Sequence, residues 1–129
     1  MGQRLGIDLT SVGTVREAVE THGDAYLTRV YTARELADCN GDPARLAGRF
    51  AAKEAALKVL RPGPDRPLPW DQIEVVRYPD GHVELELTGL VADHARAEGL
   101  TEFVISLTHE GDAACAVVAC AEQPLKDGP

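Results

Sequence analysis

Residues 49–60 read RFAAKEAALKVL, a run of Ala, Leu, Lys and Glu whose composition favours a helix. Upstream the helix begins at about Pro43, a residue suited to a first turn, and it ends at Leu60. Leu46, Phe50, Leu57 and Leu60 fall into an apolar stripe at helical spacing, and Glu54 interrupts it between Phe50 and Leu57. A carboxylate on a face meant for burial is costly unless it is paired or bound to a cation. The spacing leaves two readings open. One is an i,i+4 ion pair with Lys58; the other is a carboxylate facing a metal, with Lys58 holding an anion that the metal also touches.

On either side of this helix the pattern changes. The segment RPGPDRPLP (61–69), with four prolines, stops the helix and forms a loop. RLGIDL (4–9) alternates Leu5, Ile7 and Leu9 against Arg4, Gly6 and Asp8, which is strand periodicity and sets Asp8 opposite the apolar row. Gly6 lies on the same side as Asp8, so its missing side chain leaves room for a ligand there. Residues 14–30 suit two short helices, or one broken at THGD (21–24), and Thr32 with Glu35 forms a capping box for the next. QIEVVRYPDGHVELELTG is a hairpin around PDG, residues 90–98 are a helix stopped by Gly99, and TEFVISLTHEGDAACAVVACAE is a second hairpin. Its last run, Ala113–Ala121, is apolar on both faces and is expected to be a central strand. His109 ends the row Phe103, Ile105, Leu107 at a hairpin mouth, as a structural histidine or a site-lining one. The order predicts a single α+β domain over residues 1–121, with 122–129 a flexible tail.

The chain has 129 residues and a formal charge of −8, which argues against a nucleic-acid partner. No apolar run is long enough for a membrane span and the N-terminus lacks the apolar core of a signal peptide, so the expected setting is cytoplasmic. Cys39, Cys115 and Cys120 lack zinc-ligand spacing, and five residues of strand hold the last two roughly 16 Å apart, too far for a bridge. Reduced thiols are expected. Arg49 and Lys53 are i,i+4 neighbours that fit either a solvated face or phosphate contacts. There is no phosphate loop, no G-x-G-x-x-G, no H-E-x-x-H and no Ser-His-Asp order. Two carboxylates for a hard cation, several cations for phosphates and no evident nucleophile form a coherent set.

GIDL (6–9) and RFAAKEAALKVL (49–60) closely resemble the two signature motifs of the 4′-phosphopantetheinyl transferases in their short form, the holo-acyl-carrier-protein synthases. YLTRVYTARELADC, QIEVVRYPDGHVEL and ISLTHEGDAACAVV follow in family order, so the resemblance runs to about Ala121. It implies transfer of the 4′-phosphopantetheine arm of coenzyme A to a serine of an apo acyl or peptidyl carrier protein, with release of 3′,5′-ADP. It also implies helices packed on a small, mostly antiparallel sheet and a homotrimer with sites between subunits. By motif, Asp8 and Glu54 resemble Mg²⁺ ligands and Lys58 the lysine at the diphosphate, these three being the catalytic set. Arg49, Lys53 and His109 resemble 3′-phosphate or nucleotide contacts. Gly81 and His82 fall where the family meets the adenine, although His82 and Val83 depart from its usual Gly-Lys-Pro.

A second departure lies in the first helix, where Thr14 stands near an expected arginine and only Arg16 is present beside Glu17 and Glu20. With a charge of −8 this implies a carrier less acidic than that of fatty-acid synthesis. The alternative to an enzyme is a non-catalytic module binding coenzyme A or a carrier on the same fold.

Overall fold

A computed structural model describes residues 2–124. Strand β1 (Gly2–Ser11) leads into helices α1 (Val12–His22), α2 (Asp24–Val30), α3 (Ala33–Cys39) and α4 (Pro43–Leu60). A 3₁₀ turn at Trp70–Gln72 then opens the hairpin β2 (Ile73–Arg77) and β3 (Val83–Leu87). Helix α5 (Gly89–Ala97) precedes the long hairpin β4 (Leu100–Glu110) and β5 (Ala113–Glu122). The strands form two antiparallel sheets in place of the single one expected: β1-β5-β4, with β5 central, and the separate pair β2-β3.

Local signals explain the boundaries. Gly23, at φ 55°, separates α1 from α2 at the predicted break. Thr32 and Glu35 complete the capping box of α3, and Asp42 caps α4 ahead of Pro43. Arg61, at φ 51°, ends α4 in the left-handed conformation just before Pro62. Strand β5 runs one residue past the expected end of the domain. Glu122 pairs with Gly2 in register and accepts from Arg4 at 2.7 Å, so it is not tail. Residues 125–129 of the expected tail lie outside the described residues.

The buried side of α4 meets the expected stripe only at its ends, Leu46 and Leu60. Ala51, Ala52, Ala55, Ala56 and Val59 pack on Ile73, Val75, Ala116 and Val118, whereas Phe50, Glu54 and Leu57 lie along the half-buried edge. Alanines win the core position because they let the helix and the sheet approach closely. Leu46 belongs to a second cluster with Val12, Val15, Val30 and Tyr31.

The polarity of β1 is inverted in consequence. Arg4, Gly6 and Thr10 are buried against α4, and Asp8 shares their face half-buried. The apolar row points outward, with Leu5 71%, Ile7 57% and Leu9 72% exposed. Gly6 therefore makes room for the helix and not for a ligand: a Cβ there would stand 2.2 Å from the Ala55 carbonyl oxygen. The three cysteines are free, and burial pushes the Cys39 thiol up to about 11. No helix among the described residues is long and apolar enough to cross a membrane.

Candidate active site

Where β1 crosses α4, three predicted residues converge. Lys58 Nζ donates to the Ile7 carbonyl at 2.7 Å and to Asp8 Oδ1 at 3.2 Å, and the Thr10 hydroxyl donates to Asp8 Oδ2 at 3.0 Å. Glu54 stands one turn before Lys58 on α4, and Trp70 Nε1 donates to its Oε1 at 3.2 Å. Burial, and next the charge of Asp8, push the Glu54 carboxyl above its usual range, against the lowering effects of Trp70 and Lys58. The cluster holds two carboxylates against one lysine that is 55% exposed. It is short of positive charge.

That shortage bears on a metal. Mg²⁺ is ordinarily held by one or two carboxylates plus substrate phosphates and water, and seldom by a cage of protein ligands. Asp8 and Glu54 supply that donor set, and no group of three or more His, Cys, Asp or Glu suited to a metal occurs among the described residues. The residues fit a magnesium ion that arrives with a phosphate ligand.

Apart from that cluster, a cavity of about 210 Å³ gathers Arg49, His109 and Gly81 with Arg45, Arg77 and Thr108. Arg49 is 4% exposed, and its Nε and Nη2 are buried without a partner among the described residues. A buried guanidinium with unspent donors is suited to an anion. Arg49→Met should therefore raise the urea midpoint of the free protein or leave it unchanged, while weakening the binding of a phosphate-bearing ligand by about tenfold or more in calorimetry. At ~100° per residue Arg49 lies about 140° around α4 from Glu54, so the body of the helix separates the two clusters.

Two predicted residues belong to neither. Lys53 is fully buried and cannot reach a phosphate; it pairs with Glu35 at 2.7 Å and donates to the carbonyls of Trp70 and Ile73 at 3.0 and 2.6 Å. His82 does not line the basic cavity. Its ring stacks on Tyr78 at 4.6 Å, Nδ1 meets Asp80 and Nε2 meets Glu84 at 2.9 Å. These carboxylates, Glu84 foremost, hold the imidazole above its ordinary range. Conversely, Arg45, Arg77 and Trp70 were not anticipated. Arg45 precedes Arg49 by four residues and could have been found from that spacing, but Arg77 and Trp70 reach their sites only through the fold.

Residues 4–118 match the model of the 4′-phosphopantetheinyl transferase superfamily. The chain belongs to that family. A holo-[acyl-carrier-protein] synthase of Chloroflexus aurantiacus is 41% identical, the match covering 88% of this chain and 93% of the relative. One from Desulforudis audaxviator is 39% identical, over 87% of each chain. Among solved structures, the ACPS–CoA complex of Chronobacterium ammoniagenes superimposes with a TM-score of 0.86 at 28% identity, over 96% of this chain and all of the other. The acyl carrier protein synthase of Mycobacterium tuberculosis gives 0.75 at 34% identity, covering 93% and 97%. The transferase fold is thus the frame for both clusters, and the expectation of an α+β domain of this family holds.

Proposed function

We propose that the protein is a holo-acyl-carrier-protein synthase, transferring 4′-phosphopantetheine from coenzyme A to a serine hydroxyl of an apo carrier protein. The observation that carries this is the convergence of Asp8, Glu54 and Lys58 where β1 crosses α4. The serine oxygen forms a bond to the phosphorus bearing the pantetheine arm, the bond from that phosphorus to the diphosphate bridging oxygen breaks, and 3′,5′-ADP leaves with the electron pair. The serine proton passes to a base at the site. The nucleophile belongs to the partner, in keeping with a sequence that offers no nucleophilic triad.

Lys58, in the last turn of α4, supplies a positive charge to the diphosphate from a rigid helix, so that little reorganisation is needed. Asp8 and Glu54 would hold a Mg²⁺ ion, which when bound neutralises charge building on the phosphoryl oxygens. Arg49, Arg45, Arg77 and His109 would take the 3′-phosphate end of coenzyme A, with Gly81 beside them.

Coenzyme A bound at the basic cavity of one chain cannot pass through α4 to the carboxylates of the same chain. A second copy resolves this. Leu5, Ile7 and Leu9 continue across Val117, Ala119 and Val104 as an apolar face on the free side of the sheet, with Val104 61% exposed. Such a patch supports self-association, and we propose a homotrimer in which one copy supplies the carboxylates and its neighbour the arginines. Ile7→Asp should convert the assembly to monomers in sedimentation and remove most of the transfer activity.

The reaction is assigned to the cytoplasm, where the three thiols stay reduced. The exposed face of α1 carries Glu17 and Glu20 beside Arg16, which supports a carrier of modest acidity. The test is incubation with coenzyme A, Mg²⁺ and a panel of apo carriers, read by mass spectrometry for the pantetheine adduct. Tight coenzyme A binding with no adduct on any carrier would favour the non-catalytic module.

A further inference from the structure

Trp70 is the chain's single tryptophan, and its carbonyl, ring and indole N–H are each engaged. Its carbonyl accepts from buried Lys53 at 3.0 Å, and Lys53 is itself pinned by Glu35 of α3. Its ring contacts Phe50, centroids 5.9 Å apart, and the guanidinium of Arg29 lies 5.5 Å from the ring centroid. Its one side-chain donor goes to Glu54 Oε1. Residues of α2 and α4 thus converge on one indole, Lys53 holds its backbone, and the indole spends its N–H on one carboxylate oxygen.

From this geometry we propose that Trp70 is the positioning residue of Glu54: it fixes the plane of the carboxylate, commits Oε1 to the indole and leaves Oε2 as the open oxygen for a cation. The inference rests on the functional reading above. Without the indole, the half-buried Glu54 would be free to swing away from Asp8, and the pair would have to be assembled each time an ion bound. Outer-shell partners of this kind typically contribute about 10–100-fold to metal affinity. Lys53 acquires a role in the same arrangement, since it anchors the segment that carries the indole.

The test uses the full chain with coenzyme A present at a fixed concentration. Trp70→Phe keeps a ring against Phe50 and Arg29 but loses the donor. Calorimetric Mg²⁺ affinity should weaken by about 10–100-fold, and transfer lost at limiting Mg²⁺ should return at saturating Mg²⁺. In the wild type, Mg²⁺ should change the Trp70 emission, and Glu54→Gln should abolish that response. The fluorescence arm does not depend on how well the phenylalanine variant folds. Unaltered Mg²⁺ affinity in Trp70→Phe, a rate loss that saturating Mg²⁺ does not restore, or wild-type emission indifferent to Mg²⁺ would each overturn the proposal. A wild type that neither binds coenzyme A nor transfers would instead defeat the functional reading, which separates the two failures.

Discussion

Glu54→Gln and Asp8→Asn should each lower the transfer rate by about 10²–10³-fold, measured as carrier modified per minute at fixed coenzyme A and Mg²⁺. The size follows from losing an ionised group that acts on developing phosphoryl charge, worth several kcal/mol where it is partly shielded from water. The fold should not suffer. The amide introduced at position 54 keeps an acceptor for the Trp70 indole and removes a charge that both burial and Asp8 disfavour, so the urea midpoint should hold or rise. The amide introduced at position 8 keeps an acceptor for Lys58 or Thr10, which now serve the two oxygens of Asp8. A variant that loses activity and stability together would instead show that the carboxylates are structural.

Lys53→Met should cost about 3–5 kcal/mol of stability, read as a lowered urea midpoint at unchanged slope. Glu35 and Lys53 are both fully buried, 2.7 Å apart. Burial pushes the ammonium pKa down, and Glu35 pulls it back up. Without Lys53 the carboxylate keeps, among the described residues, its backbone donors Thr32 N and Val75 N, and remains an uncompensated charge in the core. Adding Glu35→Gln should recover a large part of the loss, because a neutral pair of similar volume is often no less stable than a buried ion pair. A Lys53 that bound phosphate would behave in the opposite way, with coenzyme A affinity falling and the midpoint unmoved.

These two lysines show what the sequence could and could not convey. Lys58 and Lys53 differ by five positions on one helix and look alike in composition. The fold puts the first at an open edge and the second against Glu35, 18 residues upstream on another helix. The boundaries of α4, the capping box of α3 and the turn at PDG were legible because each depends on neighbours in the chain. The alternation in β1 was equally legible, but a period of two does not say which row faces in. The alanines of α4 decide that, together with the one glycine that lets the helix lie against the strand. The meeting of Asp8, Glu54 and Lys58 was recoverable because two short motifs carry them. Trp70 was not, since an aromatic after a proline-rich loop reads as packing until its indole is seen against Glu54.

The placement of Glu54 and Arg49 on opposite sides of α4 has a consequence for inheritance. In the proposed assembly each helix gives its acidic side to one site and its basic side to another. A chain defective at Glu54 and a chain defective at Arg49 are each impaired alone, yet mixed trimers would hold sites in which both contributors are intact. Two such alleles should therefore complement one another in a single cell, whereas two alleles that both damage the acidic side should not.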